Sequence, residues 1–159
     1  MEETVAIRPI TYSLQFRGCV REVSERVLEL RATAPSQCLV TNVGGDGIAG
    51  RFESADGQEA LLVTRLLVAA DGTFDESGTI SVGRNTSVRF RTIGSGRLSA
   101  SPDPQLRHGA AVCGIEEGRG QFEHAWGRIT SNLVLSDTAE LTDNQLGVIF
   151  VRQRAGARE

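Results

Sequence analysis

The stretch that decides the fold is ALLVTRLLVA, residues 60–69, which is apolar on both faces of an extended chain. Asp56-Gly57 precedes it and Asp71-Gly72 follows it, and Asp-Gly dipeptides are typical of hairpin turns. A helix is the competing interpretation, because leucine is a good helix former. The flanking turns favour a strand that packs on a core with one face and is covered on the other.

Strand signals continue on both sides of this stretch, at intervals of roughly ten residues. Residues 24–31 could form a helical turn, but Pro35 and the lack of sustained helical spacing favour a strand there too. The predicted strands are residues 11–17, 27–32, 38–43, 60–69, 79–82, 86–93, 109–115, 129–135 and 146–151.

This pattern predicts an all-β fold, either a sandwich or a barrel. Closure removes the sheet edges that would template aggregation, and short connections favour an up-and-down order. We therefore predict a small antiparallel closed β-barrel of about eight strands, formed by residues 1–159 as a single domain. Its other parts are an N-terminal arm at 1–10, a loop at 99–106, a polar connection at 136–144 and a flexible tail at 152–159.

Composition excludes several classes of function. The net charge of −3 and the absence of a run of about 18 apolar residues argue against a nucleic-acid partner and a membrane span. The acidic N-terminus has no secretory signal pattern, which predicts a cytoplasmic protein. Lysine is absent, which excludes Schiff-base and P-loop chemistry. The three cysteines have no metal-ligand spacing and are predicted to be buried, so we expect neither metal nor cofactor.

An internal repeat relates two parts of the chain. Residues 50–57 and 120–127 share the pattern Gly-x-Phe-Glu-x-Ala-x-Gly, and a long apolar strand follows each copy. We expect Phe52 and Phe122 to fill equivalent core positions, with the glycines allowing tight bends at barrel corners. The alternative is a duplicated corner that contacts a ligand.

The second copy of the repeat holds the main candidate for chemistry. His124 and Trp126 alternate with their neighbours and share a strand face with Phe122. Histidine is the commonest general acid–base group, so His124 is the candidate catalytic residue. Trp126 and Phe122 are candidate substrate-binding residues that would line a pocket in the lumen. The alternative is a lone histidine at a strand end that contacts backbone or solvent.

Three polar residues complete the predicted site. Asn132 is unusual in a strand and could polarise a substrate carbonyl, although it could equally brace a turn. Arg65 lies inside the most apolar strand, and a buried arginine needs an anionic partner, such as Glu53 or a ligand carboxylate. The alternative for Arg65 is a side chain that points outward.

Residues 118–132, GRGQFEHAWGRITSN, resemble the final hairpin of the allene oxide cyclase and dirigent barrels. In that hairpin a glycine-rich turn leads to an aromatic residue, an Ala-x-Gly corner and the last long strand pair. The likeness covers the last third of the chain, with an echo at residues 50–57. It implies an eight-stranded barrel that forms dimers or trimers and guides isomerisation or cyclisation of a hydrophobic, unsaturated molecule. No catalytic residue of that family can be matched to a position in this sequence.

These observations lead to one expected function and two alternatives. The expected function is a cofactor-independent isomerase or cyclase of secondary metabolism, which acts on a hydrophobic unsaturated molecule in the barrel lumen. The first alternative is a calycin-like carrier that only binds such a molecule. The second is a structural subunit of an oligomer, with a lumen filled by its own side chains.

Overall fold

The computed structural model describes residues 5–153. The chain forms β1 (Ala6–Ser24), β2 (Val27–Ala34), β3 (Gln37–Gly44), β4 (Gly47–Ser54), β5 (Ala60–Val68), β6 (Thr73–Val82), β7 (Thr86–Thr92), β8 (Gly96–Ala100), β9 (Leu106–Arg119), the 3-10 helix η1 (Gly120–Phe122), β10 (Trp126–Ser136) and β11 (Glu140–Gln153).

Eight of these strands form a closed ring in the order β1, β2, β5, β6, β7, β9, β10 and β11, and the pairing of β1 with β11 completes it. All neighbours in the ring are antiparallel and follow one another along the chain, apart from two insertions. The β3–β4 hairpin is a separate two-stranded sheet, and the short β8 pairs with β6 and β9. The predicted all-β fold, a small closed antiparallel barrel, is confirmed.

The core of the protein is the barrel lumen. Successive side chains of a strand point to opposite faces, so every second residue of each barrel strand points inward. Full burial of a large apolar side chain stabilises a fold by about 1.5–3 kcal/mol. The large apolar residues that are fully buried are Phe16, Leu30, Leu62, Leu66, Phe74, Phe90, Ile129, Leu133, Leu135, Leu141 and Ile149.

The two ends of the barrel are named here after the elements that lie on them. The η1 end carries η1, the β6–β7 turn and the base of the β3–β4 hairpin. The β8 end carries β8, the β5–β6 turn and the β10–β11 turn. A glycine makes room for an aromatic ring inside the lumen, because a Cβ atom at Gly147 would overlap the ring of Tyr12.

Several predicted bounds of strands and loops are wrong. The proposed arm at 1–10 includes the start of β1 at Ala6, and the polar connection at 136–144 includes the start of β11 at Glu140. β8 occupies part of the proposed loop at 99–106, and β4 was not predicted. The proposed tail begins inside β11, which ends at Gln153, and residues 154–159 lie outside the described residues.

The two copies of the internal repeat do not occupy equivalent positions. Phe122 is buried in η1, whereas Phe52 is half-buried in the β3–β4 hairpin outside the barrel. The prediction of paired core positions is therefore wrong, although β5 and β10 do follow the two copies. Among the cysteines, Cys113 is buried as predicted, but Cys19 and Cys38 are exposed. Residues 5–153 contain no helix of the length and apolarity that a membrane span needs.

Candidate active site in the barrel lumen

The predicted catalytic histidine lies outside the lumen. The side chain of His124 is 75% exposed, and its Nε2 lies 3.7 Å from Oε1 of the equally exposed Glu123. His124 has a φ of 58°, so the backbone turns here and the alternation assumed for residues 122–126 does not hold. The prediction that His124 lines the lumen is wrong.

The predicted aromatic pocket does not form either. Phe122 is buried, but Trp126 is 40% exposed and stacks on Phe150 of β11, with ring centroids 5.8 Å apart. Trp126 and Phe150 are paired residues on the outer wall of the barrel. Only Phe122 of the proposed aromatic set therefore contributes to the core.

The remaining predicted site residues are also on the outer surface. Asn132 is an exposed residue of β10, and Arg65 is exposed on β5. Arg65 pairs with Glu29 at 3.4 Å, and Glu53 pairs with Arg51 at 2.6 Å on the hairpin. The outward reading of Arg65 is confirmed, and its predicted pairing with Glu53 is wrong.

The structure places a different polar group inside the barrel. Glu76 of β6 is 1% exposed and Asp143 of β11 is 0% exposed. In the ring of eight strands, β6 and β11 are four strands apart in either direction, so the two carboxyl groups point inward from opposite walls. The interior of an eight-stranded barrel is only wide enough for side chains or one small ligand. Burial of both groups in so narrow a lumen brings each carboxyl group within electrostatic reach of the other.

Asp143 is held by hydrogen bonds to both of its oxygens. The Ser131 hydroxyl donates to Oδ1 at 2.7 Å, and the Gln145 amide donates to Oδ2 at 2.9 Å. The Tyr12 hydroxyl donates in turn to Oε1 of Gln145, at 3.5 Å. Hydrogen bonds to a carboxylate favour its charged form, so this network is suited to an ionised Asp143.

Glu76 has a different environment. The Thr64 hydroxyl donates to Oε1 at 3.0 Å, and the same hydroxyl lies 3.1 Å from the carbonyl oxygen of Ser77. The other carboxyl oxygen of Glu76, Oε2, is buried and has no hydrogen-bond partner among the described residues. An unpaired buried oxygen is costly for a charged carboxylate, because nothing replaces the water that it loses.

These environments separate the acidities of the two carboxyl groups. Burial and, to a smaller extent, the charge of Asp143 raise the pKa of Glu76 from 4.5 to about 8, although the hydrogen bond from Thr64 lowers it. Burial also raises the pKa of Asp143, but hydrogen bonds from Ser131 and Gln145 oppose that effect. Both oxygens of Asp143 accept hydrogen bonds whereas Oε2 of Glu76 has no partner, so a negative charge in the lumen is better stabilised on Asp143 than on Glu76.

Two further acidic groups lie beside this pair. Burial raises the pKa of Tyr12 well above its ordinary value, and the charge of Asp143 adds to this effect. Burial and the charges of Glu76 and Asp143 raise the pKa of the Cys113 thiol to about 12. Both groups are therefore neutral at physiological pH, and Cys113 is not activated as a thiolate nucleophile.

The carboxyl pair lies closer to the β8 end of the barrel than to the η1 end. Glu76 is two residues from Phe74, whose β5 partner Val68 lies at that end. A surface groove of about 360 Å³ opens there. Its walls include Val68, Gly72, Leu98 and Leu106. Neither Glu76 nor Asp143 lines this groove.

The carboxyl pair had a signal in the sequence. Phe74, Glu76 and Ile80 follow the period of two that marks the inner face of β6, and Leu141, Asp143 and Ile149 do the same in β11. Extension of the predicted strands by this rule would have placed both carboxyl groups inside. The predicted strand at 79–82 began too late to include Glu76, and Asp143 fell in the predicted polar connection at 136–144.

Comparisons of the chain with protein-family models, with curated proteins and with solved structures give no match. The resemblance of residues 118–132 to allene oxide cyclase and dirigent barrels therefore stays a prediction. Among residues 5–153, no group of three or more His, Cys, Asp or Glu side chains is placed to hold a metal ion.

Proposed function

We propose that the protein is a cofactor-independent isomerase or cyclase that acts on a hydrophobic, unsaturated small molecule in the barrel lumen. The observation that carries this proposal is the pair of buried carboxyl groups, Glu76 and Asp143, which point into the lumen from opposite walls. Buried titratable groups with perturbed pKa values that share one enclosed site are typical of functional sites.

The proposed chemistry is an isomerisation in which neutral Glu76 protonates one carbon of a substrate double bond. The resulting carboxylate then removes a proton from a neighbouring carbon, which shifts the double bond and regenerates the acid. Glu76 is the exchanging group, because Oε2 has no protein partner and its pKa of about 8 is close to physiological pH. Asp143 supplies a fixed negative charge, because Ser131 and Gln145 hold both of its oxygens. The surrounding apolar side chains exclude water and strengthen these electrostatic interactions.

This proposal keeps the function expected from the sequence but changes its residues. A substrate in the lumen cannot reach His124 or Asn132, because both side chains are exposed on the outside of the barrel. In this proposal Glu76 is the acid–base group and Asp143 is its electrostatic partner.

A carrier for a hydrophobic small molecule is the second candidate. One observation favours it: Ser131 and Gln145 fix the position of Asp143 with one hydrogen bond to each oxygen, and each oxygen can still accept a second hydrogen bond from a ligand. The same lumen would then hold a ligand without changing it.

The test is a turnover assay with a panel of polyene and polyketide-like unsaturated compounds in deuterium oxide. Products are separated by liquid chromatography and analysed by mass spectrometry. We expect an isomeric product that contains solvent deuterium, because a carboxyl proton exchanges with solvent between turnovers. Glu76→Gln keeps the size of the side chain but cannot exchange a proton in this way, so we expect turnover to fall by about 10²–10⁴.

The matched control is Glu59→Gln, which makes the same change at an exposed position. We expect wild-type turnover from this variant. Compounds that bind without any product favour the carrier. A panel in which no compound binds contradicts both candidates and favours a lumen filled by its own side chains.

A further inference from the structure

All ionisable side chains around the carboxyl pair are acids. The charge of Asp143 raises the pKa values of Tyr12 and Cys113, and the charge of Glu76 raises that of Cys113 as well. Every arginine and both histidines among residues 5–153 are exposed instead. In the described part of the chain, no cationic side chain enters the lumen to neutralise the two carboxyl groups. Buried anionic groups are ordinarily paired with a cation or held neutral.

The unpaired oxygen of Glu76 becomes a hydrogen-bond acceptor when the carboxyl group loses its proton. The Thr64 hydroxyl has a single proton but lies within hydrogen-bond distance of both Glu76 Oε1 and the Ser77 carbonyl oxygen. Thr64 donates to Oε1 of Glu76, so the proton of a neutral Glu76 lies on Oε2. Loss of that proton leaves Oε2 as an acceptor, buried and facing the lumen.

We infer that the lumen binds a ligand with a protonated amine on an apolar body, and that the nitrogen lies between Glu76 Oε2 and Asp143. An ammonium group has three hydrogen-bond donors and a positive charge. The carboxyl groups can accept its hydrogen bonds, and its charge supplies the cation that the lumen lacks. The apolar body would pack against buried aromatic rings such as Phe16, Phe74 and Phe90, which also attract a cation. The inference rests on the proposed function in one respect, namely that the lumen is the binding chamber.

Binding of such a ligand should release a proton. In the free protein near pH 7, Glu76 holds its proton because its pKa is about 8. A positive charge beside the carboxyl group favours the ionised form and lowers that pKa. A protonated amine should therefore displace up to about one proton per ligand from Glu76, whereas a neutral ligand should displace none.

The test compares three probes that share one apolar chain: decylamine, decanol and decanoate, each below its micelle concentration. Isothermal titration calorimetry at pH 7, in buffers with different ionisation enthalpies, measures both affinity and proton release. We expect decylamine to bind at least tenfold more tightly than decanol and decanoate to bind most weakly. We also expect proton release with decylamine alone.

Variants show whether the amine binds in the lumen or to carboxyl groups on the outer surface. Glu76→Gln should abolish the proton release, and Glu76→Gln with Asp143→Asn should remove the preference for the amine. The control Glu59→Gln should change neither. Equal binding of decylamine and decanol overturns the inference, as does a preference that survives in the double variant or a failure of all three probes to bind.

The inference and the proposed function can fail separately. Turnover of a panel compound with no preference for the amine overturns the inference and leaves the isomerase or cyclase function intact. A preference for the amine without turnover of any compound supports the inference and contradicts the enzyme.

Discussion

Replacement of Glu76 by glutamine should change how the stability of the protein depends on pH. In the folded protein the pKa of Glu76 is about 8, compared with 4.5 for an unperturbed carboxyl group. Between these values the folded chain binds a proton that the unfolded chain has lost. The free energy of unfolding therefore falls as the pH rises through this window, by up to about 1.4 kcal/mol per pH unit. Over the whole window the loss is at most about 5 kcal/mol.

Glutamine is neutral at every pH and has nearly the shape of the protonated acid, so Glu76→Gln should fold. We expect the variant to gain stability relative to the wild type by several kcal/mol between pH 5 and pH 8.5. Asp143 contributes a dependence of the same sign in both proteins, because its pKa is also raised. Urea unfolding followed by Trp126 fluorescence at a series of pH values measures the effect. Glu59→Gln is the control and should follow the wild type. The reasoning is refuted if the free energy of unfolding of Glu76→Gln depends on pH in the same way as that of the wild type.

Further variants test the positions of individual residues. His124→Ala should retain full turnover and stability, because the side chain is exposed. A loss of tenfold or more in turnover would show that His124 contributes to the reaction. Phe90→Ala should lower the free energy of unfolding by about 3–5 kcal/mol, whereas Phe52→Ala should cost far less, as denaturant titrations of both would show. Gly147→Ala should destabilise the barrel because the new Cβ overlaps Tyr12, and unchanged stability would place that ring elsewhere. Ser131→Ala removes a hydrogen bond from Asp143 and should raise the pKa of that carboxyl, as carbon-13 NMR titration can test.

The barrel could be predicted from the sequence because its central strands have strong local signals. Residues 60–69 are too apolar for a surface strand, and Asp-Gly dipeptides bracket them. The starts of β6 and β11 were missed because Glu76 and Asp143 occupy inward positions there and interrupt the apolar half of the alternation. Burial in a closed barrel depends on long-range pairing, and β1 pairs with β11 across almost the whole chain.

The candidate site could not be predicted, because the prediction relied on residue type and on local spacing. His124 is chemically versatile, but its positive φ turns the chain at that point, and the side chain remains in solvent. Glu76 and Asp143 are common residues on distant strands, and only ring closure brings them to opposite walls of one lumen. A buried carboxyl group is visible in a sequence only when the strand that carries it has been assigned correctly.

The state of Glu76 in the lumen can be observed directly by carbon-13 NMR of the glutamate carboxyl groups, with Glu76→Gln to assign the resonance. We expect one glutamate to titrate near pH 8, because burial and the charge of Asp143 raise its pKa. At pH 7 we expect its carboxyl resonance to move when decylamine or a turned-over panel compound is added. A Glu76 resonance that titrates near 4.5 and does not respond to any ligand would contradict a functional site in the lumen.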